Sequence, residues 1–318
     1  MTMQIAVIDD WQRVAAKAVD WTPLRALGTL HFLHDYPADA ATLAQRLAPF
    51  DVICVMRERT VFDDALLRRL PNLKLIATGG MRNAALDLAA CARLNIHVVG
   101  TDSYKHAAPE LTWALLMALS RNLLGEANSL RSGGWQIGIG SDLHGKTLAI
   151  LGLGSIGEKV ARFGQAFGMR VIAWSENLTD ERAAAVGVTR VDKQTLFSEA
   201  DYLTIHLVLS ERSLGMVDAQ ALAWMKPQAR LINTARGPIV DEAALIDALV
   251  NGRLAGAALD VFAQEPLAAE HPLRSLPNVL ATPHIGYVTE NNYAMFYTQM
   301  IESILAWHAG QPIRLLGS

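Results

Sequence analysis

Toward the end of the chain, three short stretches bring an arginine, carboxylates and a histidine: Leu231-Ile-Asn-Thr-Ala-Arg236-Gly, Ala258-Leu-Asp260-Val-Phe-Ala-Gln-Glu265-Pro and Ala281-Thr-Pro-His284-Ile-Gly. Each lies at or just past the end of a short apolar run that reads as a buried strand, where open α/β sheets place their ligand-binding loops. Arg236 offers a fixed fork for a carboxylate. His284 can move a proton near neutral pH, and Glu265 beside it would favour the imidazolium and so raise the histidine's pKa. Taken singly, each has a structural explanation as an ordinary strand-end polar residue. Together they furnish a carboxylate clamp, an acid/base and its partner, a set suited to a 2-oxo or 2-hydroxy acid.

Upstream, Lys146-Thr-Leu-Ala-Ile-Leu-Gly152-Leu-Gly154-Ser-Ile-Gly157 runs from an apolar strand straight into glycines, and an amphipathic stretch and a second strand, Arg170–Trp174, follow. In a dinucleotide fold Gly152 would allow the tight turn, Gly154 the close approach of backbone to a pyrophosphate, and Gly157 the packing of helix on strand. Ser155 and Ile156 open the helix, whose free N–H groups would face the phosphates. After the second strand an acidic residue is expected on the ribose hydroxyls, and here the chain reads Trp174-Ser175-Glu176-Asn177. Glu176 can do that work if the loop is one residue longer, whereas Ser175 would leave room for a 2′-phosphate. No arginine follows immediately, so NAD is the expected cofactor, with NADP an open alternative.

On these residues the chain resembles the D-isomer-specific 2-hydroxyacid dehydrogenase family, which includes phosphoglycerate dehydrogenases, glyoxylate/hydroxypyruvate reductases and D-lactate dehydrogenases. The resemblance covers nearly the whole chain, through Gly152–Gly157, Asn233-Thr-Ala-Arg236-Gly-Pro-Ile-Val-Asp241-Glu242, Gly256-Ala-Ala-Leu-Asp260-Val-Phe with Glu265-Pro266, and Thr282-Pro-His284-Ile-Gly286. It implies that Arg236 holds the substrate carboxylate and carbonyl, that His284 exchanges a proton with the carbonyl oxygen, and that Glu265 sits behind His284. It further implies Asp260 on the nicotinamide side, Thr234, Ala235 and Gly286 beside the cofactor, and backbone amides of the Gly79-Gly80-Met81-Arg82-Asn83 turn completing the carboxylate site. The chain departs from the family pattern in four places. Ser175 replaces an aspartate, Val208 a frequent proline and Arg82 a frequent glycine, and the segment from Glu265 to His284 is short.

At 318 residues, with 51% hydrophobic and 19% charged residues, the chain has room for two cores and the composition of a soluble α/β protein. Its formal charge of −3 gives no reason to expect nucleic acid. Cys54 and Cys91 lack metal-ligand spacing, so no metal site is expected. Cys54 lies in an apolar run, and buried reduced thiols imply a cytoplasmic protein. The N-terminus has no basic flank before an apolar stretch, so no signal peptide is expected, and the most apolar helical stretch, Leu111–Leu119, is too short for a membrane span.

Strands at Gln4–Ile8, Val52–Val55, Leu73–Ala77 and Ile96–Val99 alternate with helical runs at Asp39–Leu47 and Asp63–Leu70. The pattern predicts a first parallel-sheet domain, which the resemblance implies is flavodoxin-like. A long apolar helix, Ala107–Arg121, leads to a loop-rich stretch, Ser129–His144, and then to a dinucleotide-binding Rossmann domain with strands near Tyr202–Ile205, Ala229–Asn233, Ala255–Leu259 and Val279–Ala281. The final helix, Tyr293–His308, returns to the first domain in the resembled family. The resemblance therefore implies a discontinuous substrate domain, 1–102 with 286–318, an NAD(P)-binding domain at 103–285, and an active site in the cleft between them. The long helix and its glycine-rich extension resemble the segment through which family members pair, so a homodimer is expected.

Other polar residues receive plainer readings. His31, His34, His144, His271 and His308 fall in loops, at element edges or on a helix, and His97 reads as a packing residue. Glu110 complements a helix N-terminus, Arg57 and Arg59 could reach the cleft or form surface ion pairs, and Trp135 and Tyr287 could line the pocket or simply pack. The expected function is NAD(P)-dependent interconversion of a small 2-oxo acid and a D-2-hydroxy acid. Two alternatives are an NAD(H)-sensing, corepressor-like binding protein on the same scaffold and formate oxidation, where the family carries glutamine in place of Glu265.

Overall fold

The computed structural model describes residues 2–35, 37 and 39–317. Its chain divides into two compact units, Met1–Tyr104 with Val288–Ser318, and Lys105–Tyr287.

In the first unit five parallel strands, β1 (Met3–Val7), β2 (Gly28–Phe32), β3 (Val52–Val55), β4 (Leu75–Thr78) and β5 (His97–Val99), lie in the order β2-β1-β3-β4-β5. That is the flavodoxin-like doubly wound order. Along the central strands alternate residues point to opposite faces. Ala6, Ile8, Ile53, Val55 and Ile76 join a core with Leu43, Leu47 and Leu67 from the helices. The C-terminal helix Glu290–His308 packs against β4, and the missing side chain of Gly79 admits the ring of Phe296. Asp39, Asp63 and Asp87 each cap a helix through a side-chain oxygen that accepts a backbone N–H.

The second unit carries β6 (Thr147–Leu151), β7 (Arg170–Trp174), β8 (Thr189–Arg190), β9 (Tyr202–Ile205), β10 (Arg230–Asn233), β11 (Gly256–Leu259) and β12 (Val279–Ala281) in one parallel sheet, ordered β12-β11-β10-β9-β6-β7-β8. Its strands are apolar on both faces because both faces are covered. Ala149, Leu151, Leu203, Ile205 and Leu231 belong to one core, while Leu148, Ile150, Tyr202, Ile232 and Ala258 belong to the other. The chain winds outward from β6 to β8 and then restarts beside β6 with β9, so the carboxyl ends of β6 and β9 form the switch point where such sheets bind ligands. Among the described residues no helix is long and apolar enough to cross a membrane.

Three local expectations change. Strands β2 and β8 were not legible because both are sheet edges with exposed or half-exposed residues and no apolar run. His31 thus lies within a strand, its Nε2 3.0 Å from Gln4 Oε1. His97, expected to pack, is exposed at the start of β5 and accepts from the Trp307 indole at 2.9 Å. The stretch expected to be loop-rich from Ser129 begins inside a helix, Leu123–Arg131, and the remainder is tied back to it: Glu126 accepts from the amides of Ile137 and Gly138, and Ser129 donates to the Trp135 carbonyl.

The glycines after β6 separate by what surrounds them. A Cβ at Gly157 would fall 2.2 Å from the Gly152 carbonyl oxygen, whereas one at Gly154 would have no heavy atom within 4 Å. Gly157→Ala should therefore lower stability by about 1–3 kcal/mol, the usual cost of overpacking. Gly154→Ala should keep a near-wild-type Tm while weakening NADH binding. Paired thermal melts and NADH titrations check this, and equal Tm losses in both variants would contradict it.

Candidate active site

At the switch point Gly152 has φ +104°, a conformation that favours glycine, and an added Cβ would sit 2.9 Å from the His206 carbonyl carbon. The helix Ser155–Ala166 begins with no side chain capping its N-terminus. Free N–H groups at that end, with open space over Gly154, fit a dinucleotide pyrophosphate. Ile156 packs inward on the core while Ser155 is exposed, and Ser175 and Glu176 stand directly after β7. His206, which sequence reasoning did not single out, follows β9 and donates its backbone N–H to Leu151. Burial pushes its imidazole down to about 3, so it stays neutral at any working pH.

Past β10, Asn233 builds the turn that presents Arg236. Buried to 1% exposure, it accepts from the Ala235 amide and donates to the Arg236 carbonyl, both at 3.0 Å. Thr112 donates its hydroxyl proton to Ala108, so in the 2.7 Å contact between the two hydroxyls Thr234 is the donor. The Arg236 guanidinium donates to the Ala235 carbonyl at 2.8 Å, which folds its stem over the turn. A Cβ on Gly237 would lie 1.9 Å from the Phe262 carbonyl carbon. The loops after β10 and β11 therefore touch backbone to backbone.

Asp260, with 1% exposure, spends both carboxylate oxygens on the chain itself. Its Oδ1 accepts from the Thr282 hydroxyl at 2.6 Å and the Ile285 amide at 2.8 Å, and its Oδ2 accepts from the Gly286 amide at 2.8 Å. Burial pushes its carboxyl above the usual range, against these hydrogen bonds and the nearby His284, which pull it down. The loop it clamps holds His284 at φ +52°, a left-handed conformation costing a non-glycine residue roughly 1–2 kcal/mol. That loop turns the imidazole toward Glu265.

Glu265 uses both oxygens. Oε1 accepts from the Phe262 amide at 2.9 Å, and Oε2 lies 2.6 Å from His284 Nδ1. Burial raises its carboxyl, but the hydrogen bond and charge of His284, the Phe262 amide and Arg236 outweigh it, and its pKa ends below the ordinary value. It is therefore a carboxylate at neutral pH. The ring of Tyr287 meets His284 edge-on, with centroids 5.8 Å apart. The segment between Glu265 and His284 is fixed by Glu242, which accepts from the Ala263 amide and lies 3.2 Å from His271 Nε2, so His271 is structural. The structure thus brings Arg236, Glu265 and His284 together on the carboxyl side of one sheet.

In the first unit the turn after β4 is only partly available to a ligand. The Gly79 amide donates to the Val55 carbonyl and the Gly80 amide to the Thr101 hydroxyl at 2.7 Å. The amides of the expected set that donate no hydrogen bond within the chain are those of Met81 and Arg82, both exposed, and of buried Asn83. Gly80, at φ +90°, leaves room for Arg57, whose Nη1 would stand 2.0 Å from an added Cβ and which donates to the Gly79 carbonyl at 3.3 Å. Trp135, 73% exposed, lies on the ordered extension of the helix Leu123–Arg131.

A carboxyl whose pKa falls on folding adds stability that is complete above its unfolded value and is lost as pH falls through the folded one. For Glu265 the window opens downward from 4.5. The Tm difference between wild type and Glu265→Gln should hold steady from neutral pH to about 5 and close as pH falls below about 4. Melts across that range test it, and a gap that widened on acidification would oppose the assignment.

A sequence profile described as D-isomer specific 2-hydroxyacid dehydrogenase, NAD binding domain, matches residues 113–286. The chain is 38% identical over 271 residues to a D-3-phosphoglycerate dehydrogenase from Synechocystis, covering 83% of this chain and 48% of that protein. It is 36% identical over 259 residues to a glyoxylate reductase from Aeropyrum pernix, covering 78% of this chain and 77% of the relative. It spans about half the length of the curated phosphoglycerate dehydrogenases it matches. A crystal structure of a phosphoglycerate oxidoreductase from Vibrio cholerae superposes with a TM-score of 0.91 at 35% identity, covering 97% of this chain and 99% of that one. With its glycine loop, Arg236 turn and clamped His284 loop on one parallel sheet, the chain belongs to the D-isomer specific 2-hydroxyacid dehydrogenase family.

Proposed function

We propose that the protein is an NAD(P)-dependent oxidoreductase that interconverts a small 2-oxo acid and the corresponding D-2-hydroxy acid. The observation that carries this reading is the 2.6 Å contact between His284 Nδ1 and a Glu265 carboxylate whose other oxygen is fixed by backbone. That contact orients the ring and leaves Nε2 as the proton-transfer atom. A bound nicotinamide supplies or accepts the hydride at the substrate's C2. His284 gives its proton to the carbonyl oxygen as the hydroxy acid forms, and takes it back in the oxidation direction. Glu265 stabilises the imidazolium. Arg236, held by Asn233 and Gly237, clamps the carboxylate and polarises the carbonyl. Met81, Arg82 and the turn at Gly80 are the proposed substrate contacts from the first unit.

Nothing favours the corepressor-like alternative, and the paired carboxylate of Glu265 weighs against formate oxidation. Glyoxylate and hydroxypyruvate are the first substrates to test, with 3-phosphohydroxypyruvate as the phosphorylated comparison. We further propose a homodimer. The helix Leu123–Arg131 buries none of its own residues, and Leu123, Leu130, Trp135, Ile137 and Ile139 are all more than half exposed. Such a strip is an interaction surface rather than a solvated one.

His284→Ala should lower kcat by ~10²–10⁴ while NADH binding stays near wild type. Arg236→Ala should raise KM and lower kcat together. Near-wild-type turnover in folded His284→Ala would sink the assignment. Sedimentation should give a dimer at micromolar concentration that Ile139→Glu shifts toward monomer, and a wild-type monomer would remove the pairing proposal.

A further inference from the structure

We propose that the outward face of the helix Ser155–Ala166 is an anion subsite continuous with the cofactor's phosphate loop, and that its occupant is the 2′-phosphate of an NADP-type dinucleotide held by Arg182 with Lys159 and Arg162. The inference rests on the dinucleotide reading above and concerns which dinucleotide the site accepts. A groove of about 470 Å³ runs along this face, lined by Ser155, Glu158, Lys159, Arg162 and Arg182 together with His106 and Phe163. The helical members recur at three- and four-residue spacing and so stack on one side of the helix.

Arg182 enters from elsewhere in the chain. It lies on the short helix Asp180–Ala184, capped by Thr179, to which β7 leads through Ser175 and Glu176. The groove thus begins at the first residue after the phosphate loop and is flanked by the segment that follows the strand where this fold holds the adenosine ribose. Sequence alone offered no cation directly after Ser175. Folding brings one to the face of the helix Ser155–Ala166.

The charge balance favours an anion. Arg182 stands 3.5 Å from Glu158, with side chains 58% and 30% exposed, a pairing of little strength. Among the described residues neither Lys159 nor Arg162 has an ion-pair partner. Three cations against one carboxylate converge here on a chain whose net charge is −3. A phosphate dianion would relieve their mutual repulsion and accept charge-assisted hydrogen bonds. Ser175, standing where an aspartate would repel that dianion, leaves room for it. Exposed Glu176 keeps a hydroxyl partner for NAD, so both cofactors should bind.

The test is titration of the intact protein with NADH, NADPH and inorganic phosphate, followed by calorimetry and thermal shift, for wild type, Arg182→Ala, Arg182→Lys and the double variant Lys159→Ala/Arg162→Ala. The residues are on the surface, and unchanged Tm values without ligand confirm folding. Arg182→Ala should weaken NADPH roughly tenfold and NADH by less than about twofold, Arg182→Lys should recover part of the loss, and the double variant should also weaken NADPH selectively. Equal weakening of both cofactors, or unchanged NADPH affinity, overturns the subsite. Loss of phosphate stabilisation with NADPH affinity intact overturns its occupant in favour of a free anion. Failure of wild type to bind NADH overturns the dinucleotide reading itself, and this subsite with it.

Discussion

A carboxylate buried as deeply as that of Asp260 is costly unless donors meet it, and here three donors from one loop converge: the Thr282 hydroxyl and the amides of Ile285 and Gly286. Asp260 follows β11, and the loop it grips follows β12. Two adjacent strand ends, already joined by backbone hydrogen bonds up to Leu259 and Thr282, are thereby tied by a side chain as well. The left-handed backbone of His284 is sustained inside that grip, and its 2.6 Å approach to Glu265 depends on it. Remove the grip, and the imidazole has no reason to face Glu265.

The same logic of strand-end fixation recurs next door. Asn233 closes the turn after β10 on itself, so the Arg236 fork starts from a rigid base. Glu242 holds the amide of Ala263 and the ring of His271, steadying the stretch that leads away from Glu265. The Arg236 turn and the stretch after Glu265 thus each rest on a buried or half-buried polar side chain that fixes backbone, the arrangement expected where position must hold to fractions of an ångström.

Much of this was legible in the sequence, for identifiable reasons. Central strands such as Thr147–Leu151 and Tyr202–Ile205 are buried on both faces and read as unbroken apolar runs, so their carboxyl ends, and the residues just beyond, could be placed. The edge strands Gly28–Phe32 and Thr189–Arg190 have only one neighbour and no such run, so nothing in their composition announced them. The hydrogen bonds of Asp260 were not legible, because spacing shows that an aspartate follows a strand but not which donors fold back onto it. Arg182 escaped notice for a related reason: its distance along the chain from Glu158 hides a proximity that only the turn into the helix Asp180–Ala184 creates. The amides of Gly79 and Gly80 were legible as a turn, while their engagement by Val55 and Thr101 was not.

The backbone contact at Gly237 limits how this scaffold can diversify. With a Cβ there placed 1.9 Å from the Phe262 carbonyl carbon, the loops after β10 and β11 have no side-chain layer between them to exchange for a larger or smaller one. They form a single rigid shelf, closed to the stepwise substitutions by which related enzymes drift toward new substrates. Variation is open instead where side chains face free space, as at exposed Met81 and Arg82 in the first unit, so one chain carries both a shelf that resists substitution and a turn that tolerates it.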